Sequence, residues 1–147
     1  MYSLKTPSSV LSLAILAAFC SAPALAVEAL PDIQQRGEIH FITGGIGEEE
    51  TQAMEAVKGD YNLRITSADQ TGHFSGNPHI VIRDMQQNEL LSADGGPLFY
   101  ADLPAGRYLV EGSNLGQSKT QRVTIAGGKI VRVRFTWQGA PADTTTN

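Results

Sequence analysis

Cysteine is nearly absent from this 147-residue chain, with Cys20 as its sole representative. A secreted chain that loses Cys20 with a leader has no disulfide framework, no thiolate nucleophile and no cysteine-based metal site, so its stability must come from packing. Charged residues make up 18% and lean acidic, with 11 basic against 15 acidic side chains and a formal net charge of −4. That balance argues against nucleic acid and anionic lipid as partners, because both need a dense basic patch to replace counterions. Arg132 and Arg134 are the nearest thing to a patch and read as a solvated strand face. Histidine is limited to His40, His73 and His79. Their spacing does not gather them on one zinc ion, and His40 and His79 fall on the polar phase of their strands. No G-x-S-x-G nucleophile elbow occurs, and the D-x-[DN]-x-[DN]-G spacing of a calcium loop is missing. Long apolar runs are absent too. The longest, Val10 to Phe19, is too short to cross a bilayer as a helix.

That run has the marks of an export leader. Lys5 supplies a positive start, and Ala24, Leu25 and Ala26 form an A-x-A pattern that predicts cleavage after Ala26. A periplasmic or secreted chain would then begin at Val27. The alternatives, an uncleaved anchor or a lipoprotein at Cys20, are weaker, since bulky Phe19 stands where a lipid-attachment site carries a small residue. Losing Lys5 makes the remainder one unit more negative. Residues 27–37 read as a leader segment without periodicity, residues 38–138 as one domain, and residues 139–147 as a disordered tail.

Within the domain, the segment Glu38 to Ile42 is a strand candidate, and Gly44, Gly45 and Gly47 break it. A helix is predicted from Glu48 to Lys58. Glu48, Glu49 and Glu50 suit the positive end of its dipole, Gly59 stops it, and Ala53, Met54 and Val57 give a narrow apolar stripe. A helix this short needs a tertiary partner, and the stripe predicts docking on a sheet face or edge through Met54 and Val57. From Asn62 onward the period is two: Leu63 and Ile65, Ile80 and Ile82, Tyr108 and Val110, Val123 and Ile125, then Val131, Val133, Phe135 and Trp137. Turn signals separate these runs, among them Pro104-Ala105-Gly106, Asn114-Leu115-Gly116 and Gly127-Gly128. The spacing predicts a mainly β, antiparallel sandwich of about seven strands with one short helix. Pro97 to Gly112 reads as a hairpin around Leu103 to Gly106.

The run from Leu103 to Trp137 resembles the closing half of carboxypeptidase regulatory-like domains, a prealbumin-like (transthyretin-like) β-sandwich family. Leu103, Pro104, Gly106 and Tyr108 match its turn, and Val123, Ile125, Gly127, Gly128, Val131, Val133 and Phe135 match its last hairpin. The stretch from Phe41 to Ile65 is similar to a group of uncharacterised exported proteins of Gram-negative bacteria. The resemblance implies an Ig/prealbumin-like sandwich and is silent on activity, because this fold serves many functions. Hydroxyisourate hydrolases of the same superfamily end in a Tyr-Arg-Gly-Ser motif. This chain ends Thr144-Thr145-Thr146-Asn147, so their activity is not carried over.

The candidate chemistry is thin. Gly44, Gly45 and Gly47 before a helix invite a phosphate-loop reading, but the spacing fails and Glu48 would repel the anion. Glu48, Glu49 and Glu50 point about 100° apart on a helix and cannot all face one calcium ion, which would need further ligands from Asp60, Asp69 or Asp94. An aromatic platform for a sugar would need two exposed rings, and only Phe74, flanked by Gly72 and Gly76, reads as exposed. These considerations predict a non-catalytic periplasmic interaction or accessory module with no cofactor and an unknown protein or glycan partner. A carbohydrate-binding domain or, further off, a metal-dependent hydrolase are the alternatives. The possible interaction surface comprises His73, Phe74 and Asn77 in one loop and Gly44, Gly45 and Glu48 in the other.

Overall fold

A computed structural model describes residues 30–139. The leader read over 1–26 and the tail beyond 139 lie outside the described residues. The elements are β1 (Gln34–Arg36), β2 (Ile39–Gly44), α1 (Glu48–Val57), β3 (Leu63–Asp69), β4 (His79–Asp84), β5 (Glu89–Asp94), β6 (Leu98–Asp102), β7 (Gly106–Asn114), β8 (Gln117–Ile125) and β9 (Val131–Trp137). They form a five-stranded sheet, β1-β2-β6-β3-β9, facing a four-stranded sheet, β5-β4-β7-β8. The alternation read from the sequence places the apolar phase inside. Phe41, Leu63, Ile65 and Phe99 from one sheet meet Ile80, Ile82, Leu91 and Val110 from the other in a single core that Phe135 and Trp137 complete. Phe41 and Phe99 stack with ring centroids 5.3 Å apart.

The helix docks as its stripe predicts, and on a face rather than an edge. Met54 is fully buried against Ile42, Leu98, Tyr61 and Tyr100, with Val57 half-buried beside them. Ile42, Leu98 and Tyr100 alternate with the core residues Phe41 and Phe99, so this second cluster covers the outer side of the same sheet. The Tyr100 hydroxyl donates to the Glu55 carboxylate at 3.1 Å, tying the helix to the sheet. The α-helix ends at Val57, one residue short of the predicted Lys58, and Lys58–Asp60 tightens into a 3-10 turn.

Four expectations are corrected. Among the described residues the strands number nine rather than about seven. One of the additional strands, β1, lies in the segment read as a leader. It has no period of its own and forms because β2 offers it a free edge and Gly37, at φ 57°, turns the chain. The Leu103 to Gly106 connection is not a hairpin: β6 and β7 lie in different sheets. Both edges of β6 are taken by β2 and β3, leaving no place for β7. The crossover is pinned instead by Asn62, whose Oδ1 accepts from Leu103 N at 3.0 Å and whose Nδ2 donates to Leu103 O at 2.8 Å, and by the Tyr108 hydroxyl donating to Pro104 O at 2.6 Å. The Gly127-Gly128 turn likewise leads out of its sheet, because β9 pairs with β3 and not with β8. That β3–β9 pairing is parallel, the one departure from antiparallel pairing among the described strands.

Candidate functional site

The sandwich brings the two candidate loops to one end. In the first, β2 runs into α1 through Gly45, Ile46 and Gly47, with Gly45 at φ 89° and Gly47 at φ 91°, a region that side chains other than glycine rarely adopt. The turn is held from the helix side. Glu50 reaches back so that its carboxylate accepts from Ile46 N at 3.0 Å, and the Thr51 hydroxyl donates to Gly47 O at 2.6 Å. With its backbone fixed, Ile46 projects outward at 66% exposure.

The second loop, between β3 and β4, is anchored from beneath. Ser67, buried at 1% exposure, donates through Oγ to Ser75 O at 2.7 Å and accepts there from the Trp137 indole N–H at 2.6 Å. Ser75 N returns a bond to Ser67 O at 3.1 Å, and Phe74 bridges to Ala68. The Asp69 carboxylate accepts from Thr71 N, the Thr71 hydroxyl and His73 N at 2.8, 2.6 and 3.1 Å, which holds its carboxyl below the ordinary value. The single Thr71 hydroxyl proton is spent on Asp69, so the 2.6 Å contact with His73 Nδ1 requires that ring nitrogen to donate.

Between the loops lies a shallow groove of about 390 Å³ lined by Gly45, Ile46, Gly47, Phe74, Gly76, Asn77 and Pro97. Phe74, at 47% exposure, and Ile46 make its apolar part. On the other side of Ile46 a second concavity carries Glu48, Glu49, Asp32 and the exposed Leu30. Gly45, Phe74 and Asn77 therefore share one surface, with Glu48 on its flank. Gly44 is buried under the Glu50 and Pro31 side chains and presents nothing outward. His73 is not among the groove's lining residues. Ile46, which sequence reasoning passed over, had a signal available: an isolated isoleucine bracketed by glycines, with no strand or helix period to bury it.

A second constellation was not foreseen. His79 Nδ1 lies 2.7 Å from Asp94 Oδ1, and His79 Nε2 lies 2.9 Å from Ser92 Oγ, the connectivity of a serine hydrolase triad. The cross-strand register creates it, with His79 opposite Asp94 on the outward face of the β4–β5 hairpin. Two features work against nucleophilic chemistry there. The Asp94 side chain is 87% exposed, so water competes for the bond that would orient the ring. Backbone N–H groups in paired strands lie in the sheet plane and cannot be aimed at an oxyanion above its face. His40 stands apart on the exposed side of β2, and among the described residues no three His, Cys, Asp or Glu side chains converge as metal ligands. Phe74 is also the only exposed aromatic among them, so they form no paired aromatic platform.

No family model matches the chain, and no curated protein matches it. Among solved structures, part of the Bacillus anthracis TIE protein is similar at a TM-score of 0.43 and 20% identity, over 50% of this chain and 15% of that one. The chain thus spans a small fraction of that neighbour's length.

Proposed function

We propose that this chain is an exported, non-catalytic interaction module that binds a protein partner at the end of the sandwich formed by the 45–47 turn and the 74–77 loop. The observation that carries this reading is the pairing of Ile46 and Phe74, two exposed apolar side chains from loops far apart in sequence, each held out by a backbone anchored from below. Isolated exposed apolar residues are ordinary, but two that line one groove beside a carboxylate cluster have the make-up of a binding surface with an apolar anchor and a charged rim. The partner segment would present an apolar side chain to the groove and basic residues to Glu48 and Glu49. The leader pattern supports export to the periplasm, and the Leu103 to Trp137 motifs support kinship with carboxypeptidase regulatory-like domains.

Capture from periplasmic extract by the mature protein, compared across variants, tests this. Phe74→Ala and Ile46→Asp should each abolish capture of a protein that the wild type retains, and Glu48→Lys should weaken it in a salt-dependent way. Capture that is equal across these variants, or absent from the wild type, removes the reading. Protein recovered from the periplasm should begin at Val27, and retention of residues 1–26 contradicts export. The hydrolase alternative rests on Ser92, His79 and Asp94. A fluorophosphonate probe should leave Ser92 unmodified, and labelling that disappears in His79→Ala would overturn the non-catalytic assignment.

A further inference from the structure

The outward face of the five-stranded sheet is only partly covered. Helix α1 sits over β2 and β6, and the strip it leaves open carries Arg64 and Thr66 from β3 with Arg132 and Arg134 from β9. The parallel register sets Arg64 opposite Arg132 and Thr66 opposite Arg134, while Tyr100 stands opposite Arg64 on its other side. Together they line a groove of about 380 Å³ between the last turn of the helix and the edge strand.

Like charges directly opposite on neighbouring strands destabilise a sheet. Among the described residues none of the three arginines forms an ion pair, and the carboxylate nearest to them, Glu55, feels the charge of Arg64 only at a distance. The one acid on the rim, Glu55, is engaged by Lys58 and by the Tyr100 hydroxyl. Arg134 reaches only the Gly72 carbonyl, at 3.4 Å. Arg64 Nε is buried without a hydrogen-bond partner, an arrangement that costs more for a charged donor than for a neutral one. Charged side chains on β9 would deter pairing at that edge, but this role asks nothing of Arg64, which lies on an interior strand between β6 and β9. The cluster also runs against the chain's net charge of −4.

We propose that this groove binds a dianionic phosphoryl group, with Arg64 as the donor at its floor and Arg132 and Arg134 closing on it from the edge strand. Guanidinium forks match tetrahedral oxyanions, and a dianion relieves three converging cations better than a single carboxylate does. The site is separate from the groove at the sandwich end and does not depend on that reading.

The test is a titration of the ¹⁵N-labelled mature protein with inorganic phosphate at constant ionic strength, with acetate as the monoanion control. Saturable shifts are expected at the Arg64 Nε–H signal and at the backbone amides of Arg64, Arg132 and Arg134. Binding should weaken on the order of tenfold or more in Arg64→Gln and in Arg132→Gln, and with acetate in place of phosphate. Arg107→Gln, on the opposite sheet, should leave it unchanged. Thermal melts of each variant separate lost binding from lost fold, and Arg64→Lys, which keeps the charge but loses the guanidinium fork, should bind weakly while folding normally. Phosphatidylcholine vesicles containing phosphatidic acid distinguish the source: saturable binding to them without a response to free phosphate assigns the phosphoryl group to a lipid. Shifts that fail to saturate with either probe, or that survive Arg64→Gln, overturn the proposal.

Discussion

Leu115 adopts a backbone conformation that its side chain disfavours. It and Gly116 join β7 to β8 with φ of 51° and 72°, so both central residues of this two-residue turn are left-handed, the type I′ geometry that matches strand twist. Glycine accepts that region freely, whereas an L-residue in it costs roughly 1–2 kcal/mol. Leu115 is 58% exposed and contributes little packing in return. Leu115→Gly should therefore stabilise the protein by about 1 kcal/mol after the entropy cost of the added glycine, read as a higher urea midpoint. An unchanged or lower midpoint would mean that the side chain makes up for its strain elsewhere. The turn was legible in Asn114-Leu115-Gly116 because turn chemistry is local. Gly112 was not: it sits inside β7, and only the facing sheet explains it, since a Cβ there would lie 2.7 Å from the Phe135 ring.

Elements carry the next set of consequences. The apolar stripe of α1 was readable from its spacing, and so was its need for a surface. Met54→Ala should destabilise by about 2–5 kcal/mol, as expected for emptying a fully buried site, and a thermal melt that does not move would contradict the docking. The β4–β5 hairpin depends on a carboxylate. Asp84 Oδ1 accepts from Gln86 N and Asn88 N, both at 2.9 Å, and Oδ2 accepts from Asn88 Nδ2 at 2.8 Å. The Asn88 side chain above all, with these backbone donors, holds the Asp84 carboxyl below its ordinary value, and the Thr71 hydroxyl does the same for Asp69. A carboxyl lowered in the folded state contributes its stability in full above its unfolded value, about pH 4, and loses it as the pH falls through the folded value. The denaturation midpoint should drop across that acid range, and Asp84→Asn should flatten the drop. A profile identical in the variant would assign acid sensitivity to other groups.

At the scale of the molecule, residues 70 apart in sequence act together. Trp137 on β9 donates to Ser67 on β3, which in turn fixes Ser75 and the loop that presents Phe74. Trp137→Phe leaves the buried hydroxyl without its donor and should cost about 1–3 kcal/mol. Hydrogen exchange at Ser75 should accelerate beyond the global loss, and if it tracks the global value the relay does not hold the loop. The sequence by itself determined the alternating strands, most turns, the helix and its buried stripe, because each depends on neighbours a few residues away. It also carried the mainly β class and named Gly45, Phe74 and Asn77, three of the seven residues that line the groove. Only the tertiary structure decided which sheet each strand joins. A period of two puts the same side chains inside whether the next strand lies alongside or in the facing sheet, so Leu103 to Gly106 reads as a hairpin although it crosses the sandwich, as Gly127-Gly128 also does. The same indifference hid the meeting of Ile46 with Phe74, of His79 with Ser92 and Asp94, and of Arg64 with Arg132. Each depends on a register or a juxtaposition between distant strands, and no local pattern records it.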